Sequence, residues 1–227
     1  MERQERYDEK LIQILRSACS IFAEKGFHHA TVRDVAAATG VSPAGLYYYF
    51  KSKEELLFLI LENTLRGLLE AIRAETTEAR DPVDLLKGIA RAHLFFMEEN
   101  RNEMRVLAQE WGTLSGPSDQ EVKRVMRGYS ALMIRTLRRL SPERSTQELR
   151  AAAFGLFGML SWVDRWYAPE EDLPMDQLAE ELSNLFLGGF LTEGAEVPVF
   201  MRLKEDQKPG KKPRETPGFA ILSGPGF

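Results

Sequence analysis

The chain is predicted to be all-α, on three observations. Apolar residues recur at three- and four-residue intervals along most of its length, and strand-like alternation is nearly absent before the C-terminal tail. Helix-start signals punctuate it: Thr31 with Asp34, Ser42-Pro43, Ser52 with Glu55, Asp81-Pro82, Ser118 with Glu121 and Ser141-Pro142. At 227 residues and 44% apolar, the chain can bury a sizeable core, so a folded protein is expected.

The first helix is expected over residues 7–25, with Leu11, Ile14, Leu15, Ala18, Ile21 and Phe22 on one stripe and Gly26 ending it in the left-handed region. A second starts after Thr31, whose hydroxyl suits an N-cap, and ends near Thr39 and Gly40. Ser42 caps a third, which runs to about Tyr49, and Pro43 takes its first position, where a missing N–H costs nothing. Ser52 and Glu55 make a capping box for a long fourth helix that continues towards Thr77 and links two domains. Later helices are expected near residues 82–99, 102–113, 119–140, 143–167 and 174–192. This divides the chain into residues 1–54, residues 55–194, and a tail at 195–227. In the tail a Lys-, Pro- and Glu-rich composition has little to bury and predicts disorder or loose attachment.

Several function classes are disfavoured. No run of 18 uncharged apolar residues exists and the N-terminus is charged, so no membrane span or secretion signal is expected, and the protein is placed in the cytoplasm. The lone Cys19 lies in an apolar helical pattern and reads as core. Three histidines without cysteine partners show no metal-ligand spacing, and no nucleophile with a base, phosphate loop or paired acids suggests an enzyme. No catalytic residue, metal or cofactor is therefore expected.

The net charge of −4 resides in the middle of the chain; residues 1–55 are balanced, and residues 40–53 carry Lys51 and Lys53 with no acid. An acidic total thus leaves room for a nucleic-acid surface. In TVRDVAAATGVSPAGLYYYFKSKEEL, two short helices joined by a Gly-containing turn form a helix-turn-helix. Ser42, Pro43, Ala44 and Gly45 are small enough for close approach to a major groove, with free amides favouring anions. Successive helical residues point about 100° apart, so Tyr47, Tyr48 and Tyr49 cannot all be buried. Leu46 and Phe50 suit the inner side, leaving Tyr47 and Tyr48 outward.

With these residues the sequence resembles the TetR family of regulators, whose signature is helix, Gly turn, short helix, Leu-Tyr-Tyr-x-Phe, then Lys-x-Lys and an acidic pair. The resemblance is close over residues 7–56 and elsewhere extends only to a nine-helix layout. It implies phosphate contacts by Thr31, Ser42, Tyr47 and Lys53, bases or backbone near Arg33, Pro43, Ala44, Gly45 and Tyr48, and a weaker role for Lys51. It also implies a homodimer through the last two helices, rich in small residues at Ala151, Gly155, Gly158, Gly188 and Gly189, on a pseudo-palindromic double-stranded operator. Pro43 and Ala44 offer no side-chain donors, so readout is expected to lean on Arg33, Tyr48 and DNA shape.

The later helices carry a surplus of aromatic and methionine residues, most of them core. The candidates to line a small-molecule cavity are His93, Met97, Met104, Trp111, Tyr129, Met133, Phe157 and Trp162. The run GMLSWVDRWYAPEEDLPMDQLAEEL resembles the end of the effector domain in TetR-type repressors of fatty-acid and steroid degradation, which implies an acyl-CoA effector. Arg101, Arg105, Arg135, Arg138 and Arg139 are available for its phosphates, although solvated helix faces explain them equally well. Two alternatives stand beside this: an efflux-type repressor with a pocket for hydrophobic aromatic compounds, and an all-α enzyme or scaffold that binds no DNA.

Overall fold

The computed structural model describes the backbone of residues 2–191 and the side chains of residues 5–191. The expected tail at residues 195–227 lies outside the described residues. Nine α-helices and no strand occur among the described residues: α1 Glu2–Lys25, α2 Val32–Thr39, α3 Pro43–Leu46, α4 Lys53–Glu75, α5 Pro82–Glu99, α6 Arg101–Glu110, α7 Gly116–Leu140, α8 Thr146–Trp162 and α9 Met175–Leu191.

Local chemistry explains most boundaries. Thr31 accepts from the Asp34 amide while the Asp34 carboxylate accepts from Thr31 N, a reciprocal cap for α2. Lys25 at the end of α1 pairs with the same carboxylate at 2.8 Å. These bonds hold the Asp34 carboxyl below the usual carboxylate range. Gly40 ends α2 at φ 65°, a backbone state that would strain a residue with a Cβ. Asp81 accepts from the amides of Val83 and Asp84 and so starts α5 behind Pro82.

Other boundaries depart from the sequence expectation. α1 begins at Glu2, five residues earlier than expected. α3 is a single turn, because the amides of Tyr48 and Tyr49 bond back three residues, to Gly45 O and Leu46 O; this tightening carries Phe50 into the core. Glu55 answers the amide of Lys51 instead of the cap residue Ser52. α7 starts at Gly116, not at Ser118, and Glu121 instead engages Arg66 and Arg124. Ser141 closes α7 through its amide, while Ser145 and Glu148 form the reciprocal cap of α8; two backbone donors satisfied there outweigh the Ser-Pro signal. α8 stops at Trp162 and passes into a 3₁₀ turn, Val163–Arg165.

α1, α2 and α3 close over Ile14, Ala18, Phe22, Val35, Leu46 and Phe50, joined by Leu56 and Leu57 from the start of α4. α4 then packs on α5, α6 and α7, α6 also packs on α1, and α9 lies on α5. Cys19 is buried in this core, and burial pushes its thiol pKa up, so it is protonated and inert.

Candidate nucleic-acid interface and effector cavity

α2 and α3 form the expected helix-turn-helix. Thr31, Arg33, Ser42, Pro43, Ala44, Tyr47, Tyr48 and Lys51 are all exposed. Tyr47 and Tyr48 are 53% and 67% exposed, while Leu46 and Phe50 are buried beneath them. Tyr49 stacks on Tyr7 of α1 with ring centroids 5.0 Å apart, and Tyr48 meets Tyr7 edge-on at 5.6 Å. Nothing local to Tyr7 marks this role; the contact spans about forty residues of chain.

Four of the expected DNA residues have internal work: Thr31 Oγ1 accepts from Asp34 N and donates to Asp34 Oδ2 at 2.7 Å. Ser42 Oγ accepts from Gly45 N at 3.1 Å. A Cβ on Gly45 would lie 3.0 Å from Val41 Cγ1 and 3.2 Å from Ser42 Oγ, so this glycine keeps the turn free of crowding. Pro43 has no amide, and those of Gly45 and Leu46 are bonded to Ser42, which leaves the Ala44 amide as the one α3 donor of Pro43–Leu46 open to an anion. Lys53 differs most from expectation. Its ammonium donates to Phe27 O at 2.8 Å, Ala30 O at 3.0 Å and His28 O at 3.4 Å, and lies 4.4 Å from the Phe27 ring centroid. All three N–H donors of the ammonium are thus aimed at the loop between α1 and α2. That loop is held from its other side by buried Glu110 of α6, which accepts from Phe27 N at 3.1 Å and from Thr113 Oγ1 at 2.7 Å.

Lys53→Ala is accordingly expected to lower the melting temperature, because three loop carbonyls lose a charged donor, a loss of about 1.5–3 kcal/mol for a hydrogen bond to a charged group. It should leave the salt dependence of operator binding unchanged. A fall of roughly 1 in the slope of log affinity against log salt, with unchanged melting, would instead put Lys53 on a phosphate.

A cavity of about 290 Å³ opens among α4, α5, α6, α7 and α8. His93, Met97, Met104, Trp111, Tyr129 and Phe157 line it, together with Leu65, Leu68, Met126, Phe154, Arg105, Asp164 and Arg165 among others. Two expected lining residues lie elsewhere. Met133 is fully buried in the core, and Trp162 is 65% exposed because α8 turns it outward. Of the five expected phosphate-binding arginines only Arg105 lines the cavity; Arg138 donates to Arg144 O and Thr146 and so ties α7 to α8.

The cavity is apolar with two polar stations. At its buried end His93 Nδ1 lies 2.8 Å from the Tyr129 hydroxyl, and Tyr129 packs on Phe157 with centroids 4.6 Å apart. Burial pulls the His93 pKa down to about 4 and pushes that of Tyr129 up, so both are neutral near pH 7. Towards the exposed rings of Trp111 and Phe154, Asp164 Oδ2 accepts from Arg105 at 3.3 Å, with Arg165 alongside. Asp164 and Glu110 have no counterpart in the sequence reading, since single carboxylates on helix faces carry no local signal. Among the described residues no group of three or more His, Cys, Asp or Glu is placed to hold a metal, and no helix is long and apolar enough to cross a membrane.

Among the described residues, α8 and α9 leave the large apolar side chains Phe154, Trp162, Leu185 and Leu191 exposed, as is Trp166 just beyond α8. Among the described residues, a Cβ added at Gly155, Gly158 or Gly189 would meet nothing within 4 Å.

This architecture has close counterparts. The chain is 26% identical over 187 residues, 80% of its length and 93% of the relative's, to the HTH-type transcriptional repressor KstR2 of Mycobacterium tuberculosis. It is 22% identical over 184 residues, 79% of its length and 95% of the relative's, to the fatty acid metabolism regulator protein of Bacillus subtilis. Among solved structures, AibR in complex with isovaleryl coenzyme A and operator DNA superposes with a TM-score of 0.71 at 22% identity, covering 78% of this chain and 97% of that one. Residues 14–60 match the family model for bacterial regulatory proteins of the tetR family, and residues 60–190 match that for the tetracyclin repressor-like C-terminal domain. The chain therefore belongs to the TetR family, and is a DNA-binding transcriptional regulator and not an enzyme.

Proposed function

We propose that this protein is a cytoplasmic repressor that holds a pseudo-palindromic operator as a homodimer and is released by an acyl-CoA thioester. Residues 1–54 bind DNA in this reading, and residues 55–194 bind the effector and the second subunit. The observation that carries it is the cavity: an apolar chamber whose exposed end is marked by Arg105 and Arg165. Its 290 Å³ is at the lower limit of the roughly 300–1,000 Å³ usual for ligand pockets. An acyl group fits inside, and the coenzyme's phosphates stay outside near the guanidinium groups. The name of the Bacillus regulator, which ties it to fatty acid metabolism, and the isovaleryl coenzyme A seen with AibR favour the same chemistry.

The exposed apolar side chains of α8 and α9 support pairing through those helices. Two recognition turns must then stand about 34–36 Å apart to enter successive major grooves. α6 lines the cavity through Met104, Leu107 and Trp111 and grips the α1–α2 loop through Glu110, so a ligand that shifts α6 alters that spacing. Ligand and DNA then weaken one another reciprocally.

DNA contact is assigned to Thr31, Arg33, Ser42, Pro43, Ala44, Tyr47, Tyr48 and Lys51, supported by their exposure around α2 and α3. Tyr47→Phe is expected to weaken binding to specific and unrelated DNA alike, by about 0.5–1.5 kcal/mol for one neutral hydrogen bond, as read by fluorescence anisotropy. Unchanged affinity would remove the hydroxyl from the interface.

The test of effector class is anisotropy on DNA from upstream of the protein's own gene, titrated with acyl-CoAs of graded length, free CoA and a cationic dye. Release by acyl-CoA but not by CoA or dye supports the reading. A second reading, a repressor responsive to cationic aromatic compounds, is favoured by Asp164, a lining residue whose Oδ1 is buried without a partner in a cavity also lined by Trp111 and Phe154. Release by the dye alone would select it.

A further inference from the structure

Three tyrosine rings meet at the end of α3. Tyr7 of α1 stacks on Tyr49 with centroids 5.0 Å apart and planes at 21°, meets Tyr48 edge-on at 5.6 Å and 80°, and Tyr48 meets Tyr49 edge-on at 5.2 Å and 89°. All three pairs fall within the stacked and edge-to-face arrangements that ring quadrupoles favour. Tyr7 and Tyr49 are half-buried, whereas Tyr48 is 67% exposed. Tyr47, the other outward ring, instead lies tilted over Phe50, with centroids 6.2 Å apart.

The backbone alone does not aim Tyr48. α3 ends at Leu46, and beyond it the Tyr48 amide bonds three residues back, to Gly45 O, so the ring leaves a tight turn and not the side of a regular helix. An exposed tyrosine in such a turn rotates about two side-chain torsions, and docking it against DNA costs that freedom. Tyr7 removes the freedom beforehand, because its one ring touches both Tyr48 and Tyr49 and is carried by a different helix. Tyr7 is the sixth residue of α1, which starts at Glu2, so it stands beyond the first turn, where helix ends fray. A helix beginning at Tyr7 would leave this ring on the fraying end.

We infer that Tyr7 is a positioning residue for operator binding, which holds the Tyr48 ring in the orientation in which that ring meets DNA and acts through ring contact alone. This rests on the assignment of Tyr48 to the DNA surface and extends recognition to a residue of α1, outside the helix-turn-helix. A ring placed only to fill the core would bury its partner. Tyr48 stays 67% exposed beside two rings, so the contact orders it without withdrawing it from solvent.

The test is a double-mutant cycle read by fluorescence anisotropy on a duplex that the native protein selects from a random-sequence library. Tyr7→Leu, which keeps a good helix former and apolar cover but no ring, should weaken binding about tenfold, the scale of an aromatic pair lost in each of two subunits. Tyr7→Phe, which keeps the ring, should bind as the native protein does. In a Tyr48→Ala background the Tyr7→Leu change should cost less than about twofold, since the ring it holds is gone. A role confined to packing α1 gives an equal loss in both backgrounds, and that result would overturn the inference, as would a loss in Tyr7→Phe equal to that in Tyr7→Leu. Carbon NMR relaxation of labelled tyrosine in the DNA-free protein supplies a readout independent of affinity. The Tyr48 ring should be rigid in the native protein and in Tyr7→Phe, and mobile in Tyr7→Leu; equal mobility in all three would overturn the inference. The assignment of Tyr48 fails separately: if Tyr48→Ala binds as tightly as the native protein, that ring lies off the DNA and the inference falls with it. A loss in Tyr48→Ala with none in Tyr7→Leu overturns the positioning role alone.

Discussion

Leu185→Glu is expected to turn the dimer into a monomer and to reduce operator affinity by more than a hundredfold. Leu185 is 69% exposed on α9, one of the large apolar side chains, with Leu191, Phe154 and Trp162, that α8 and α9 leave exposed among the described residues. With α9 in the dimer seam, a carboxylate at this position is buried in each half. Breaking a buried pair, which likewise leaves a bare charge, costs roughly 3–5 kcal/mol, and every 1.4 kcal/mol is tenfold in an equilibrium constant. One subunit alone then engages one half-site and loses the second contact set. Sedimentation velocity at micromolar concentration would read the assembly, and anisotropy the DNA. A Leu185→Glu protein that remains dimeric would move the interface off α9.

Acid is expected to destabilise the protein before its carboxylates titrate. His93 has an ordinary pKa of 6.5 in the unfolded chain and about 4 in the folded one, because burial opposes the charged imidazolium. Above pH 6.5 both states hold it neutral and its full contribution is present. Between pH 6.5 and 4 the unfolded chain takes up a proton that the folded chain refuses, so stability falls as pH falls. The total over that window is about 3 kcal/mol. Asp34, Glu121 and Glu148 also have lowered folded pKa values, but their stabilisation is lost only below their unfolded values near 4, which leaves the range from pH 6.5 to 5 to the histidine. Urea denaturation across that range should show the slope in the native protein and lose most of it in His93→Phe. An equal slope in both would mean that His93 is charged or reached by water in the folded state.

These two expectations differ in where their grounds lie. The helix-turn-helix is legible residue by residue, because its determinants act within one turn: the Thr31–Asp34 cap, Gly40 in the left-handed region, and Pro43 behind Ser42. The same holds for the start of α5 at Asp81. Where two local signals compete within a few residues, as at Ser141 and Ser145, spacing does not choose between them. The winner is the one that satisfies more backbone donors.

The cavity was legible as a composition and not as a shape. Met97 and Met133 look alike in sequence, yet one lines the chamber and the other fills the core, because this depends on how α5 and α7 are rotated against their neighbours. Trp162 belongs to the same helix as Phe157, but five residues further on it points about 140° away and is exposed. The family resemblance implies a phosphate contact for Lys53, whereas its ammonium reaches carbonyls more than twenty residues away.

By itself the sequence determined the all-α class, the helix-turn-helix, its outward tyrosines and the buried partners Leu46 and Phe50, since caps, turn glycines and helical spacing are short-range chemistry. The tertiary structure alone decided that Glu110 and Lys53 grip one loop, that His93 and Tyr129 meet in a hydrogen bond at the cavity, and that Gly155 and Gly158 of α8 have open space among the described residues. Each of these depends on which faces of distant helices meet, and that is set by the packing of the whole core.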